Sequence, residues 1–396
     1  TGTTLSRTVD ESSNSDAALS LTGSAVVFIT AAAEDVFQGE LFAENYDGTS
    51  TKPSATGTNA VAIGKNATAT QGSNISVGAS SDATGTLSSS FGIAADSAGG
   101  YSTALGYASG TSSLGSYSLA AGASAQTAGT YAVALPNSYA SGNTSFAAAI
   151  GNNTSSYGAT GANSVAIGEL AKASGTDAIC IGASSTASGS QSFAAGFGHN
   201  AGSARSVVLG YQSSATSTGA IAIGNSCSSS QGYAVSLGNG ALAAVYGKMA
   251  HTGDTFSAQG DAQSGQLVLN AATTDATPVV MTSNGLTGFL SNNQIILPNN
   301  SAYGFTGTVI AREDSSSTDD FAVWEIKGGS VRGASASTAA LGSYNINKIS
   351  ESTGAANWSI ALSADTTNGA VAITVTGEAA HNIRWVATVN TTEVTY

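Results

Sequence analysis

Between residues 57 and 244 of this 396-residue chain, pairs of large β-branched residues recur with one small residue between them. Val61-Ala-Ile63, Val165-Ala-Ile167 and Ile221-Ala-Ile223 are the clearest, and each is followed by a glycine: Gly64, Gly168 and Gly224. Residues two apart share one face of a strand, so each triplet predicts a short strand with a bulky face and a small one. The glycine returns every fourteen residues, at Gly64, Gly78, Gly92 and Gly106 and again from Gly168 through Gly182, Gly196, Gly210 and Gly224 to Gly238. Fourteen residues hold a strand, a turn and a second short strand, and are too few for a helix pair or a propeller blade. Glycine closes each rung because a sharp turn needs positive φ.

The expected architecture is therefore all-β: a coil of about thirteen rungs over residues 57–244, some 60 Å long at roughly 4.8 Å per rung. By hydrophobicity, the Val/Ile face is assigned to the interior of the coil. The small residues Ala62, Ala166, Ala222 and Ser236 are then left outside, as a contact face between chains. A thin coil with such a face gains from close packing in a symmetric bundle. The period falters in the middle: Gly122 comes two residues late, Pro136 replaces the glycine, Gly151 is one residue late and Gly168 three. Extra residues in a stacked coil bulge outward, so loops are expected there.

The flanks differ. Residues 1–56 are acidic, with eight of the 24 Asp and Glu residues, and Ala18-Leu-Ser-Leu21 and Val26-Val-Phe-Ile-Thr30 suggest strands. Glu34, Asp35, Glu40 and Glu44 invite a calcium or docking reading, but carboxylates on a solvated face are the plainer account. Residues 245–264 read as a connector. Residues 265–396 hold all three tryptophans and seven or eight alternating stretches, among them Phe321-Ala-Val-Trp-Glu-Ile326 and Ala370-Val-Ala-Ile-Thr-Val375, divided by turn signals such as Asn368-Gly369. They predict an antiparallel β-sandwich with Trp324, Trp358 and Trp385 in its core.

Composition narrows the function. Charged residues make up 9% of the chain, against about 25% in an average protein, so hydroxyls and amides solvate the surface or copies bury it. The net charge is −13 and the cations are scattered singly, which argues against a nucleic-acid partner. No apolar run reaches a membrane span, and Ala25–Ala33 lacks the basic flank of a signal peptide. Cys180 and Cys227, three rungs apart, lie beyond disulfide reach and are expected as free thiols. No metal or cofactor site is expected, since Cys-x-x-Cys spacing is missing and His199, His251 and His381 stand alone.

Gly57-Thr-Asn-Ala-Val-Ala-Ile-Gly64 and Asn163-Ser-Val-Ala-Ile-Gly168 resemble the head repeat of trimeric autotransporter adhesins. That resemblance implies a left-handed parallel β-roll assembled as a homotrimer, and also a coiled-coil stalk and a C-terminal membrane-anchor barrel, neither of which is read in this sequence. The C-terminal Tyr303–Arg312, Ala322–Gly328, Leu362–Val371 and Ile383–Ala387 resemble a domain recurring at the C-termini of tailed-bacteriophage virion proteins. Together the two imply a trimeric virion fibre or spike, with the roll as shaft and the sandwich as tip or clamp. Its partners would be further copies of itself, a tail or baseplate protein, and a glycan or protein of the host surface.

Candidate chemistry is sparse. Glu313-Asp314 and Asp319-Asp320 flank a Ser-rich loop. A glycosidase needs two carboxylates held across a cleft, and a calcium site needs regular ligand spacing; the loop shows neither, so the chain is expected not to be an enzyme. Six of the 13 tyrosines, at positions 101, 107, 117, 131, 139 and 157, crowd the irregular middle. Exposed aromatics stack on sugar rings, which makes Tyr107, Tyr139 and Tyr157 receptor-binding candidates; packing over the shaft is the plainer alternative. The leading reading is a fibre of the virion that contributes to host attachment. A purely structural appendage, a glycan-depolymerising tailspike and a cellular adhesin are the alternatives.

Overall fold

A computed structural model describes residues 51–151, 156–286, 292–313 and 319–396. The strands and carboxylates expected before residue 51 lie outside the described residues. The repeat region is a parallel β-solenoid of fourteen turns. One sheet stacks fourteen two-residue strands, from Ser54–Ala55 to Leu242–Ala243. The second begins with Val61–Ile63 and continues turn by turn to Met249–Thr252. Fourteen-residue steps keep equivalent residues paired, as in Val61 with Ile75 and Ile221 with Val235.

The direction of the side chains is the reverse of the expectation from hydrophobicity. Ala62, Ala166, Ala222 and Ser236 point into the solenoid and are buried. Their Val and Ile neighbours point out, and Ile179, Ile181 and Ile223 are exposed. Steric room explains the reversal. Short strands joined by tight turns hold the two sheets so close that alanine and serine fill most of the gap, with Cys180 and Val208 the largest side chains at the strand centres, and close-packed interiors do not admit much larger ones there without strain. Serine serves as well as alanine because its hydroxyl finds a backbone carbonyl within its own turn: Ser145 Oγ donates to Gly142 O at 2.6 Å and Ser164 Oγ to Gly161 O at 2.6 Å. Ala62, Ala166, Ala222 and Ser236 therefore form no contact face between chains.

The repeating glycine has two causes. Gly78 sits at φ +135°, and a Cβ there would lie 2.2 Å from the carbonyl oxygen of Gly92 on the next turn. Backbone stacks on backbone along this corner, which leaves no space for a side chain.

The irregular middle consists of turns of other lengths. Thr103 pairs with Leu119, sixteen residues on; Val133 pairs with Phe146, thirteen on; Phe146 pairs with Val165, nineteen on. Pro136 packs where a Cβ of Gly122 would fall, so it occupies the glycine corner, as expected. The register then puts Ala149, at φ +55°, in the next such corner, in place of Gly151. The first insertion carries Leu114 outward, and the second falls between Ile150 and Tyr157.

Beyond the last turn, the second sheet does not stop. Met249–Thr252 pairs antiparallel with Ala262–Thr273, and the sheet goes on through Ile383–Thr395, Ser301–Glu313, Phe321–Arg332 and Ala340–Glu351. A smaller antiparallel sheet faces it, with Ala370–Thr376 at its centre, Ser359–Asp365 on one edge, and Val279–Val280 and Ile295–Ile296 on the other. Between the two lie Leu269, Val309, Ile326 and Val389 from the first and Met281, Leu362 and Ile373 from the second side. Trp324, Trp358 and Trp385 are buried there, with the Trp324 and Trp385 rings 5.5 Å apart. Trp385 Nε1 donates to Thr273 Oγ1 at 3.0 Å, which satisfies its one polar atom.

The first sheet, by contrast, is stopped by a side chain. Gln263 Oε1 accepts from Leu242 N at 2.9 Å and its Nε2 donates to Leu242 O at 3.0 Å, so the amide takes the place of a peptide group in the next strand. An open edge is a template for pairing with other chains, and here it is closed by one residue.

Candidate functional site

The two outer faces of the solenoid are chemically different. The first sheet presents Thr68, Asp82, Asp96, Gln126, Lys172 and Asn200, all polar. Thr68 donates a hydrogen bond to Asp82 on the neighbouring turn. Burial, followed by the Asp82 charge stacked beside it, raises the Asp96 carboxyl above its ordinary value. The second sheet presents two columns of large apolar residues. One runs through Val61, Ile75, Val165, Ile179, Val207 and Ile221, the other through Ile63, Val77, Ile167, Ile181, Leu209 and Ile223. Ser89 and Thr103 interrupt the first column and Ala121, Ala148 and Ala195 thin the second, so the face is apolar over most of its length, and exposed apolar patches mark interaction surfaces.

At the corner that leads into the second sheet, a left-handed residue recurs in every turn. Leu87, Tyr101, Tyr117 and Tyr131 hold it on four successive turns, with φ between 52° and 58°. Tyr101 and Tyr117 stack with ring centroids 4.8 Å apart and planes 2° from parallel; Tyr117 and Tyr131 stack at 5.0 Å and 16°. All three are exposed. Because each ring covers its neighbour, the ladder offers ring edges and phenol hydroxyls to solvent, and an open ring face only at its two ends.

The three tyrosines expected to form a receptor patch are not brought together. Tyr107 is exposed in the turn after Thr103–Leu105, at the opposite corner from the ladder. Tyr139 lies on the first sheet, beside Gln126. Tyr157 packs against the alanine interior. The stacked set has a sequence signal that spacing alone carries: Tyr101, Tyr117 and Tyr131 are separated by one sixteen-residue and one fourteen-residue turn, the steps of the register itself.

Other groups singled out by sequence are held in local structure. Cys180 and Cys227 are free and buried. Burial pushes the Cys180 thiol up to about 11, against the smaller opposing effect of backbone hydrogen bonds. His199 is buried, its Nδ1 accepting from Ser213 N at 3.3 Å while Nε2 has no hydrogen-bond partner among the described residues. Of the acidic loop, residues 314–318 lie outside the described residues; Glu313 meets His381 Nδ1 at 2.9 Å, and Asp319 meets Arg312 Nη2 at 2.8 Å on the surface. Among the described residues, no three His, Cys, Asp or Glu side chains gather as a metal site.

The junction holds a buried polar cluster that sequence reasoning missed. Lys248 Nζ and Glu393 Oε2 are 2.7 Å apart with both side chains buried. Gln263 Nε2 donates to the same oxygen at 2.7 Å, and Thr391 Oγ1 donates to Oε1 at 2.5 Å. Burial, then the Glu393 charge and a hydrogen bond to it, push the Tyr303 phenol well above its ordinary range. Lys248 and Glu393 are 145 residues apart in sequence, and only the fold unites them.

With this geometry in view, the YadA head domain repeat (2 copies) matches residues 55–81, 113–135, 159–183, 173–198 and 201–226. The repeat region thus carries YadA head repeats, wound as a β-solenoid. No curated protein matches the chain. Among solved structures, the chain is similar to the tailspike protein gp49 from Acinetobacter baumannii bacteriophage Fri1, described as a capsular polysaccharide depolymerase. Identity is 11% and the TM-score 0.24, over 90% of this chain and 68% of that one. It is also similar to the Acinetobacter phage vB_ApiP_P1 tailspike protein, with 11% identity and a TM-score of 0.22 over 90% of this chain and 81% of that one. The first of these corrects the expectation that the chain is not an enzyme: a depolymerase stands among the structures similar to it.

Proposed function

We propose that the chain is the shaft and tip of a homotrimeric bacteriophage virion appendage that contributes to attachment at the bacterial surface. One observation carries the assembly: the two-column apolar stripe on the outer face of the second sheet. The interior of each solenoid, built of alanine and serine, buries little apolar area per residue, whereas the stripe gains about 25 cal/mol for each Å² removed from water. A closed ring of three copies buries the stripe completely and leaves the polar first sheet to solvent. The virion setting is drawn from the resemblance of the C-terminal motifs to a domain of tailed-phage proteins, and the adhesive role from the head repeats and the exposed tyrosine ladder.

Light scattering tests the assembly. The expected species has three times the 38.6 kDa mass of one chain. Ile179→Asp combined with Ile223→Asp places charges in the stripe and is expected to yield monomers or aggregates. A well-folded monomer of the unaltered protein would defeat the reading. For attachment, a Tyr117→Ala particle is expected to adsorb more slowly to its host, and unchanged adsorption would remove the ladder from that role.

A further inference from the structure

The outer face of the second sheet carries a pattern of sizes that hydrophobicity alone does not explain. Most of its turns present two mid-sized residues, as Val61 with Ile63, Val165 with Ile167 and Ile221 with Ile223. Three turns present a phenylalanine, and each time the other column is small: Ser89 with Phe91, Phe146 with Ala148, Phe193 with Ala195. The phenylalanine stands in the second column in the first case and in the first column in the other two, yet it never shares a turn with another large residue. Leu119 with Ala121 is the one clearly light turn of the series.

Residues two apart on a strand stand side by side, roughly 7 Å from each other. Solvent sets no limit on what two such neighbours add up to, so on an open face their sizes would vary independently. A sum that stays nearly level from turn to turn marks a covered space, where an oversized pair costs strain and an undersized pair leaves a void. In a ring of three copies about an axis parallel to the solenoid, the first column of one copy stands beside the second column of the next at the same turn. The face measures about 65 Å by 10 Å from its fourteen turns and two columns, of the order of the roughly 800 Å² that each partner gives to a standard interface.

We propose, on the basis of the ring of copies described above, that Phe91, Phe146 and Phe193 set the register between copies, each ring seated on the Ser89, Ala148 or Ala195 that the next copy presents at the same turn. A shaft of near-identical Val/Ile turns is poorly protected against slipping, because one turn further on it presents the same face again. The phenylalanines remove that freedom. A slip of one turn sets Phe193 against Ile181 or Leu209 and Phe146 against Ile167, and overpacking of this kind penalises the wrong register.

Disulfide trapping between co-expressed full-length chains tests the register, in a background of Cys180→Ala and Cys227→Ser and with one cysteine introduced per chain, so that no bridge forms within a chain. Val207→Cys in one chain and Leu209→Cys in the other are level, whereas Val207→Cys and Ile223→Cys are one turn apart. A shift of about 4.8 Å moves a pair out of bridging range, so the level pair is expected to give at least tenfold more linked dimer on non-reducing gels. Rewriting the three turns as ordinary ones, with Ser89→Val, Phe91→Ile, Phe146→Val, Ala148→Ile, Phe193→Val and Ala195→Ile, is expected to lower that ratio at least threefold while light scattering still returns three chains. Should the rewritten chain not fold, Phe193→Val with Ala195→Ile alone is expected to lower the ratio in the same direction. Equal linkage of the two pairs in a particle of three chains, or an unchanged ratio in the rewritten one, would overturn the proposal and leave the ring standing. A folded monomer would remove the ring itself, and the register with it.

Discussion

The solenoid and the C-terminal double sheet share a continuous sheet but bury opposite things. In the double sheet, Trp324, Trp385, Ile326 and Val389 point inward, and the facing residues of the same strands, such as Glu325, Lys327 and Asn390, point to solvent. In the solenoid, alanine and serine point inward and valine and isoleucine point out. The same alternation thus serves two ends. The C-terminal double sheet completes its apolar burial within one chain, and on the proposed assembly the solenoid shaft leaves its burial to be completed between chains. Stability of the tip should then be a property of the chain, and stability of the shaft a property of its concentration.

The sharpest break of this comparison comes from the tip. Trp385→Ala removes a fully buried ring and is expected to cost about 3–5 kcal/mol, read as a fall in the tip's denaturation midpoint that does not vary with chain concentration. Nearly as large is Lys248→Ala at the junction. It leaves Glu393 buried without a cation, which costs about 3–5 kcal/mol, and urea melts should show shaft and tip uncoupling. Within the shaft, Ala166→Leu forces a larger side chain into the narrow interior and is expected to cost about 1–3 kcal/mol; a neutral result would mean that the small face is not the inner one.

The smallest expected effects concern pH, and they have opposite signs in the two regions. Asp96, on the shaft, has its folded value raised above 3.8 by burial and then by Asp82. Its contribution is fully present below about pH 3.8 and is lost as the pH rises through the raised folded value. Asp261, at the junction, is pushed up by burial but pulled further down by hydrogen bonds from Ala258, Ser257 and Phe256, so its folded value lies below 3.8. Its contribution is present above about pH 3.8 and is lost as the pH falls through the lowered folded value. Asp96→Asn is therefore expected to raise the melting temperature at neutral pH, and Asp261→Asn to lower it, with both differences shrinking in acid. Melting curves of the two variants that shift in the same direction would contradict this assignment.

The fourteen-residue period was legible because a backbone-on-backbone corner tolerates glycine almost alone, and a steric demand that repeats writes itself into the sequence. The double sheet was legible from ordinary alternation with large inward residues. The inside of the solenoid was not legible by hydrophobicity, since the rule that large apolar residues lie inside presumes a space wide enough to hold them. A better signal was present in the sizes. The middle residue of the triplets is alanine or serine in every turn but two, where Cys180 and Val208 stand, and a position that stays this small is one that is sterically confined. The junction cluster had no such signal. Gln263, Glu393 and Lys248 look like surface residues one at a time, and their pairing depends on contacts across 145 residues of chain.

The unbroken passage from parallel to antiparallel pairing at Met249 and Gln266 has a mechanical meaning. Hydrogen bonds between stacked turns run along the length of the solenoid, and the strand that follows joins the same row. A load that presses on the far end is thus carried across the junction from strand to strand along the second sheet, as through the courses of a masonry column.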